Sequence, residues 1–297
     1  MKSLLSRLGA LAAALLLAPA ALADIIVRDD TGQEVRLKEP ARRIVSLAPH
    51  VTESLYAAGA GDRLVATVDY SDYPDAARRL PRVGGYSRID LEAVTALRPD
   101  LVITWQSGNP PAQVDKLRAL GLPVFVTQPN QMEDVASLLE RFGRLTGSEA
   151  AAQSAARHFS SRLASLRQAN AGKPTVRVFY QVWKNPLTTV GGPQIISSAI
   201  RLCGGENVFG NLQQMAPNVS LEAVLQADPE VIVATGMGDA APEWLDDWRK
   251  WPRLTAVKRG NLFHINPDIM QRHTPRILDG TERLCAALDQ ARSRRPK

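Results

Sequence analysis

Short apolar runs alternate with helix-spaced stretches along most of the chain. Ile44-Val45-Ser46-Leu47, residues 64–68, residues 101–104 and Val124-Phe125-Val126 are compact and apolar, which is the signature of strands buried on both faces. Between them, Thr52 and Glu53 lead into a helix through Leu55, Tyr56 and Ala57 that stops at Gly59. Asp90 is placed to cap a helix over 91–97, and residues 113–120 form another that closes on Gly121. Strand and helix in alternation predict an α/β layer with a largely parallel sheet. Ile25-Ile26-Val27 followed by Asp30-Thr31-Gly32 reads as the start of a hairpin.

The pattern changes at Met132. Val135, Leu138, Leu139, Phe142 and Leu145 keep helical spacing, Gly147 interrupts, and Ala155, Phe159, Leu163 and Leu166 resume it. This is one long connecting helix or two stacked ones. The α/β rhythm then returns in strands at 176–180, 231–234 and 262–265. A helix follows over 195–202, another is capped by Ser220, a Trp-rich helical stretch comes next, and a last helix runs from about 275 to 288. The predicted fold class is α/β, with two Rossmann-like lobes joined by a long helical backbone and a ligand cleft between them. The lobes occupy 24–131 and 172–297, with the connector at 132–171.

One unit occurs twice. Leu91-Glu92-Ala93-Val94 leading to Arg98-Pro99-Asp100-Leu101-Val102-Ile103 is echoed by Leu221-Glu222-Ala223-Val224 leading to Asp228-Pro229-Glu230-Val231-Ile232-Val233. Both read as helix, proline stop and buried strand, and each lobe therefore presents a glutamate at the start of the corresponding helix. Glu92 and Glu222 are matched anchors for basic pockets on a two-fold symmetric membrane partner.

Residues 1–23 stand apart. Lys2 and Arg7 precede an Ala- and Leu-rich run over 8–22, and Ala21-Leu22-Ala23 offers a cleavage pattern before Asp24, as in a secretory signal peptide. A membrane anchor needs a longer span, about 20 residues. No cysteine lies near the cleavage site to carry a lipid, so the mature chain is expected to be soluble in an exported compartment. The formal charge of +6 comes from 36 basic against 30 acidic residues, with a basic cluster only at Arg292, Arg294, Arg295 and Lys297. That distribution argues against nucleic acid as a partner. Cys203 and Cys285 are the only cysteines; in an oxidising compartment they form one disulfide or remain two buried thiols. With four scattered histidines they make no metal cluster.

No nucleophile elbow, phosphate loop, dinucleotide fingerprint or zincin motif is present, and the chain is expected not to be an enzyme. The aromatic residues point to binding instead. Tyr70, Tyr73, Tyr86 and Trp105 fall at or after the carboxyl ends of first-lobe strands, beside Gly108 and Asn109, and Trp183 takes the comparable place in the second lobe. Ligands of open α/β sheets bind at that end, and large rigid rings bury a wide ligand at low entropic cost. The loop after the Ile265 strand carries Asp268 and Arg272, suited to amides or a phosphate. His273 with Tyr86 is an alternative pair for an iron or cobalt centre. Trp244, Trp248 and Trp251 recur around one element in a spacing typical of core packing.

From Arg43 almost to Ala287 the chain resembles the bacterial substrate-binding proteins with a helical interlobe backbone, which serve importers of iron-siderophores, haem and vitamin B12. Within them it is most similar to the vitamin B12 branch. Residues 44–49 with Thr52-Glu53, and Leu91-Glu92 with residues 98–103, carry the general likeness. Tyr70-Ser71-Asp72-Tyr73-Pro74, the stretch from Trp105 to Asn109, and the cysteine pair carry the likeness to the branch. The resemblance implies a soluble, monomeric periplasmic carrier with no cofactor of its own, whose transported ligand is vitamin B12 or a related corrinoid, the alternative being haem or an iron-siderophore in the same fold. It implies further that Tyr70, Trp105 and the Asp268/Arg272 loop line the cleft, that Cys203 and Cys285 are bonded, and that Glu92 and Glu222 dock onto the transmembrane subunits of an ABC importer. Tyr86 and Met215-Ala216 stand where the branch has tryptophans, and Ile269-Met270-Gln271 replaces a more aromatic and acidic stretch.

Overall fold

The computed structural model describes residues 24–236 and 241–296; the expected signal peptide at 1–23 lies outside them. An antiparallel hairpin comes first, β1 (Ile25–Arg28) and β2 (Glu34–Leu37). Then follow β3 (Ile44–Ser46), α1 (Pro49–Ala57), β4 (Leu64–Ala66), and a small hairpin of β5 (Gly84–Gly85) and β6 (Arg88–Ile89). The first lobe continues through α2 (Leu91–Ala96), β7 (Leu101–Trp105), α3 (Pro111–Ala119) and β8 (Val124–Thr127). Its main sheet is wholly parallel, in the order β4-β3-β7-β8. Alternate residues feed opposite faces: Ile44, Leu101, Ile103 and Phe125 enter one core, and Val45, Val102, Val124 and Val126 the other. That two-sided burial explains the unbroken apolar runs.

The connector is two antiparallel helices, α4 (Met132–Thr146) and α5 (Glu149–Asn170). Gly147, at φ 65°, ends α4 in the left-handed region that glycine enters without a Cβ penalty. Each helix belongs to both lobes. In α4, Met132 and Val135 pack into the second-lobe core while Leu138, Leu139, Phe142 and Leu145 pack into the first. In α5, Ala152 and Ala156 join the first core and Phe159 and Leu163 the second.

The second lobe comprises β9 (Val176–Gln181), α6 (Ile195–Leu202), β10 (Gly205–Asn207), α7 (Leu221–Ala227), β11 (Val231–Ala234), α8 (Thr255–Lys258), β12 (Leu262–His264), α9 (Pro267–Met270) and α10 (Ile277–Ser293). Its parallel sheet runs β10-β9-β11-β12, the same arrangement as the first. The Trp-rich stretch is a 3-10 helix over Glu243–Lys250 rather than an α-helix, with Trp248 in the core and its indole N–H donated to Gln181. Cys203 and Cys285 are bonded, joining the end of α6 to α10.

The repeated unit is reproduced in detail. Asp90 and Ser220 each accept a hydrogen bond from the backbone N–H three residues on, at 3.0 and 3.1 Å. Residues 91–100 and 221–230 have the same sequence of buried, half-buried and exposed positions. Arg98 and Asp228 both take positive φ, 47° and 38°. Glu92 and Glu222 are exposed at equivalent places.

Candidate functional site

In each sheet the chain leaves the central strand in both lateral directions, so the switch points lie between β3 and β7 and between β9 and β11, where ligands of such folds bind. The carboxyl ends of the two sheets face a common cleft of about 480 Å³, within the usual range for small-molecule sites. From the first lobe it is lined by Pro49 and His50 after β3, Tyr70 and Asp72 after β4, Tyr86, and Trp105 at the end of β7. The second lobe supplies Val182 and Trp183 after β9, Gly236 after β11, and Pro267, Asp268, Gln271 and Arg272 after β12.

The backbone positions these rings by specific means. Tyr86 occupies the tip of the β5–β6 hairpin, and Gly84 makes that hairpin possible: its φ is 92° and a Cβ there would collide with the Arg88 carbonyl. Tyr70 has φ 63°, a conformation that costs a residue with a Cβ about 1–2 kcal/mol, and its ring is 67% exposed. Asn109 is buried and serves as a three-way clamp. Its side chain accepts from the backbone N–H of Trp105 at 2.6 Å and donates to the carbonyls of Leu47 and Tyr86 at 2.9 and 2.7 Å. At Gly108 any Cβ would fall within the Trp105 indole, so the glycine lets that ring fold back over its own loop. Asn109 and Gly108 thus shape the wall without being part of it.

At the cleft floor the indole of Trp105 meets His50 edge-on at 5.3 Å between ring centres, and His50 meets His273 at 5.4 Å. Both histidines are buried. Burial, then the charges of His273 and Arg272, hold the His50 imidazole well below its ordinary value, and burial pushes His273 down to about 4. Both are neutral at neutral pH. Higher up, Arg272 donates to Asp72 of the opposite lobe at 2.7 Å, and its other nitrogen lies 2.9 Å from Asp268. Behind the cleft, Glu53 is buried and receives both a forked pair of bonds from Arg276, each 2.7 Å, and the Thr274 hydroxyl at 2.6 Å.

Residues 44–269 match the model of the periplasmic binding protein family. The chain belongs to the periplasmic binding protein family. The vitamin B12-binding protein of Vibrio cholerae is 39% identical to it over 250 residues, 84% of this chain and 90% of that one. The crystal structure of the periplasmic vitamin B12 binding protein of Vibrio cholerae aligns at a TM-score of 0.79 and 38% identity, covering 85% of this chain and 98% of that chain. A periplasmic haem-binding protein of Pseudomonas aeruginosa aligns at 0.71 and 25% identity, over 83% of this chain and 92% of that one.

In this periplasmic binding protein the structure gathers Tyr70, Tyr86, Trp105, Trp183, Asp268 and Arg272 around one cleft. Tyr73 lies off the lining, its ring stacked 3.6 Å from the Arg276 guanidinium, where it covers the Glu53 pair. Of the alternative pair, Tyr86 and His273, each ring lies against Trp105, at 5.9 and 6.2 Å, and His273 is buried. Among the described residues no three His, Cys, Asp or Glu side chains cluster to hold a metal. Sequence reasoning missed His50, Asp72 and Gln271 as lining residues. Tyr70-Ser71-Asp72-Tyr73 stands out for its rings alone, and Pro49-His50, in the passage from strand to helix, carries no binding pattern of its own.

Proposed function

We propose that the protein captures vitamin B12 or a closely related corrinoid in the interlobe cleft and delivers it to an ABC-type importer. The observation that carries the proposal is the convergence of four aromatic side chains, Tyr70, Tyr86, Trp105 and Trp183, from both lobes onto one cleft. It occurs in a chain that aligns over 84% of its length with a vitamin B12-binding protein. Three of the four rings are more than a third exposed without ligand, Tyr70 at 67%, Trp183 at 46% and Tyr86 at 38%. Apolar area of that kind is left open where a ligand will cover it. A corrin ring is wide and flat with peripheral amides, which suits ring faces for the body and Asp268, Gln271 and Arg272 for the rim. Capture and release need no bond chemistry, in keeping with a carrier rather than an enzyme.

Calorimetric titration of the signal-free protein with cyanocobalamin tests this reading. Saturable one-to-one binding at micromolar affinity or tighter is expected, and Trp105→Ala should weaken it about tenfold or more. No heat, together with failure of the red ligand to co-elute on gel filtration, would turn the assignment to another ligand of the same fold.

A further inference from the structure

Accepting the corrinoid reading, we propose that Asp72 and Asp268 make the cleft a charge filter that favours ligands without net negative charge and rejects anionic ones such as haem and carboxylate-bearing ferric siderophores. Relatives of the same fold bind haem, a flat tetrapyrrole of similar girth, so ring-stacking aromatics alone would discriminate poorly between the two. What differs chemically is the rim: haem carries two propionate carboxylates, whereas a cobalamin carries neutral amides and is neutral overall in its cyano form.

The described lining of the cleft has three charged side chains: Asp72, Asp268 and Arg272. The single guanidinium is committed twice, to Asp72 at 2.7 Å and to Asp268 at 2.9 Å, and is itself only 13% exposed. The carboxylates are more open, at 39% and 43%. Burial would raise the Asp72 carboxyl, but its bonds with Arg272 outweigh that and hold it below the usual carboxylate range, so it is ionised at neutral pH. Of the arginines nearby, Arg276 is engaged by Glu53 through both forks, and Arg78, whose charge also acts on Asp72, is paired with Asp75 at 3.2 Å. His50, the histidine in the wall, is neutral. A ligand therefore meets two carboxylates against one guanidinium already bound to both. Incoming anions face a net negative rim and a cation they must win from two competitors, while amide N–H groups find unused carboxylate lone pairs.

Asp72 sets the filter across the gap. It comes from the lobe opposite Arg272, 200 residues away in sequence, so the neutralisation exists only where the two lobes meet. Without it, Arg272 would keep one partner and present a free fork to a propionate.

The test measures the ratio of haem to cyanocobalamin affinity for the wild type, Asp72→Asn, Asp268→Asn and the double variant, at low and high salt. The filter predicts that wild-type haem affinity is weak and rises with salt, as screening relieves repulsion, while cyanocobalamin affinity stays flat. It predicts that the ratio climbs about tenfold or more in the double variant and partway in each single one. Using a ratio removes any common loss from disturbed packing, and if the double variant loses both ligands, the single variants decide. A ratio that moves less than about threefold in every variant, or wild-type haem affinity that falls with salt, overturns the filter. Absence of cyanocobalamin binding to the wild type would instead overturn the corrinoid assignment; the salt response of haem binding would still judge the filter.

Discussion

Trp105 illustrates how one side chain in this cleft depends on neighbours that never touch a ligand. Its indole fits because residue 108 has no Cβ and because Asn109 fixes its backbone. Gly108→Ala should displace the ring and cost about 1–3 kcal/mol in stability, with weaker corrinoid binding; chemical denaturation and titration together check it. Glu53 is a second case. It is buried against Arg276 and Thr274 of the other lobe, and Glu53→Ala leaves that arginine uncompensated, at an expected cost of about 3–5 kcal/mol, readable in a urea midpoint. The sequence made the aromatic wall legible, since Tyr70, Tyr86, Trp105 and Trp183 follow strands or sit in the turns beside them. It could not make Asp72 or Glu53 legible as partners, because pattern reading is local and their arginines lie 200 and 223 residues away.

At the level of elements, strands and helices followed from apolar period and stop residues, and the differences have local causes. Gly205-Glu206-Asn207 has no apolar run to mark it in the sequence, yet it pairs in parallel with β9 as the edge strand β10, Gly205 opposite Val176 and Asn207 opposite Val178. The connector's ambiguity is resolved by Gly147, whose left-handed backbone reverses the chain so that α5 packs back on α4. Gly143 lets the two approach, since a Cβ there would strike Ala152. The disulfide is likewise an element-level tie, holding α6 to α10 across 82 residues. Closing a loop of that length removes unfolded-state entropy worth about 4.5 kcal/mol on the chain-entropy model. The Cys203→Ala/Cys285→Ala variant should unfold at correspondingly lower urea, with a cyanocobalamin affinity close to that of the wild type, since neither sulfur lies near the cleft lining.

For the molecule as a whole, acid should loosen the junction between lobes. His50 and His273 are neutral when folded but take up protons when unfolded, below the ordinary imidazole value of about 6.5. Their contribution is therefore complete above that pH and is lost as pH falls towards about 4, where His273 itself titrates. His273 alone accounts for about 3 kcal/mol across this window. Asp72, Glu133, Glu230 and Asp289 are held below the usual carboxylate range and keep their charges over most of it. Calorimetric melting between pH 7.5 and 4.5 should show a steady fall that His273→Gln flattens; an unchanged slope in that variant would rule the histidine out. The matched presentation of Glu92 and Glu222 leads to a separate expectation: reversing both charges should abolish uptake in cells while leaving cyanocobalamin titration intact. The connecting geometry also bears on how the chain is made. Among the described residues, the side-chain hydrogen bonds from Asp72 and Glu53 to the opposite lobe join positions before 75 to positions after 270. A chain emerging amino end first can complete its first lobe early, but the carrier has no binding site until its last stretch arrives, so it stays empty-handed until synthesis and export are nearly finished.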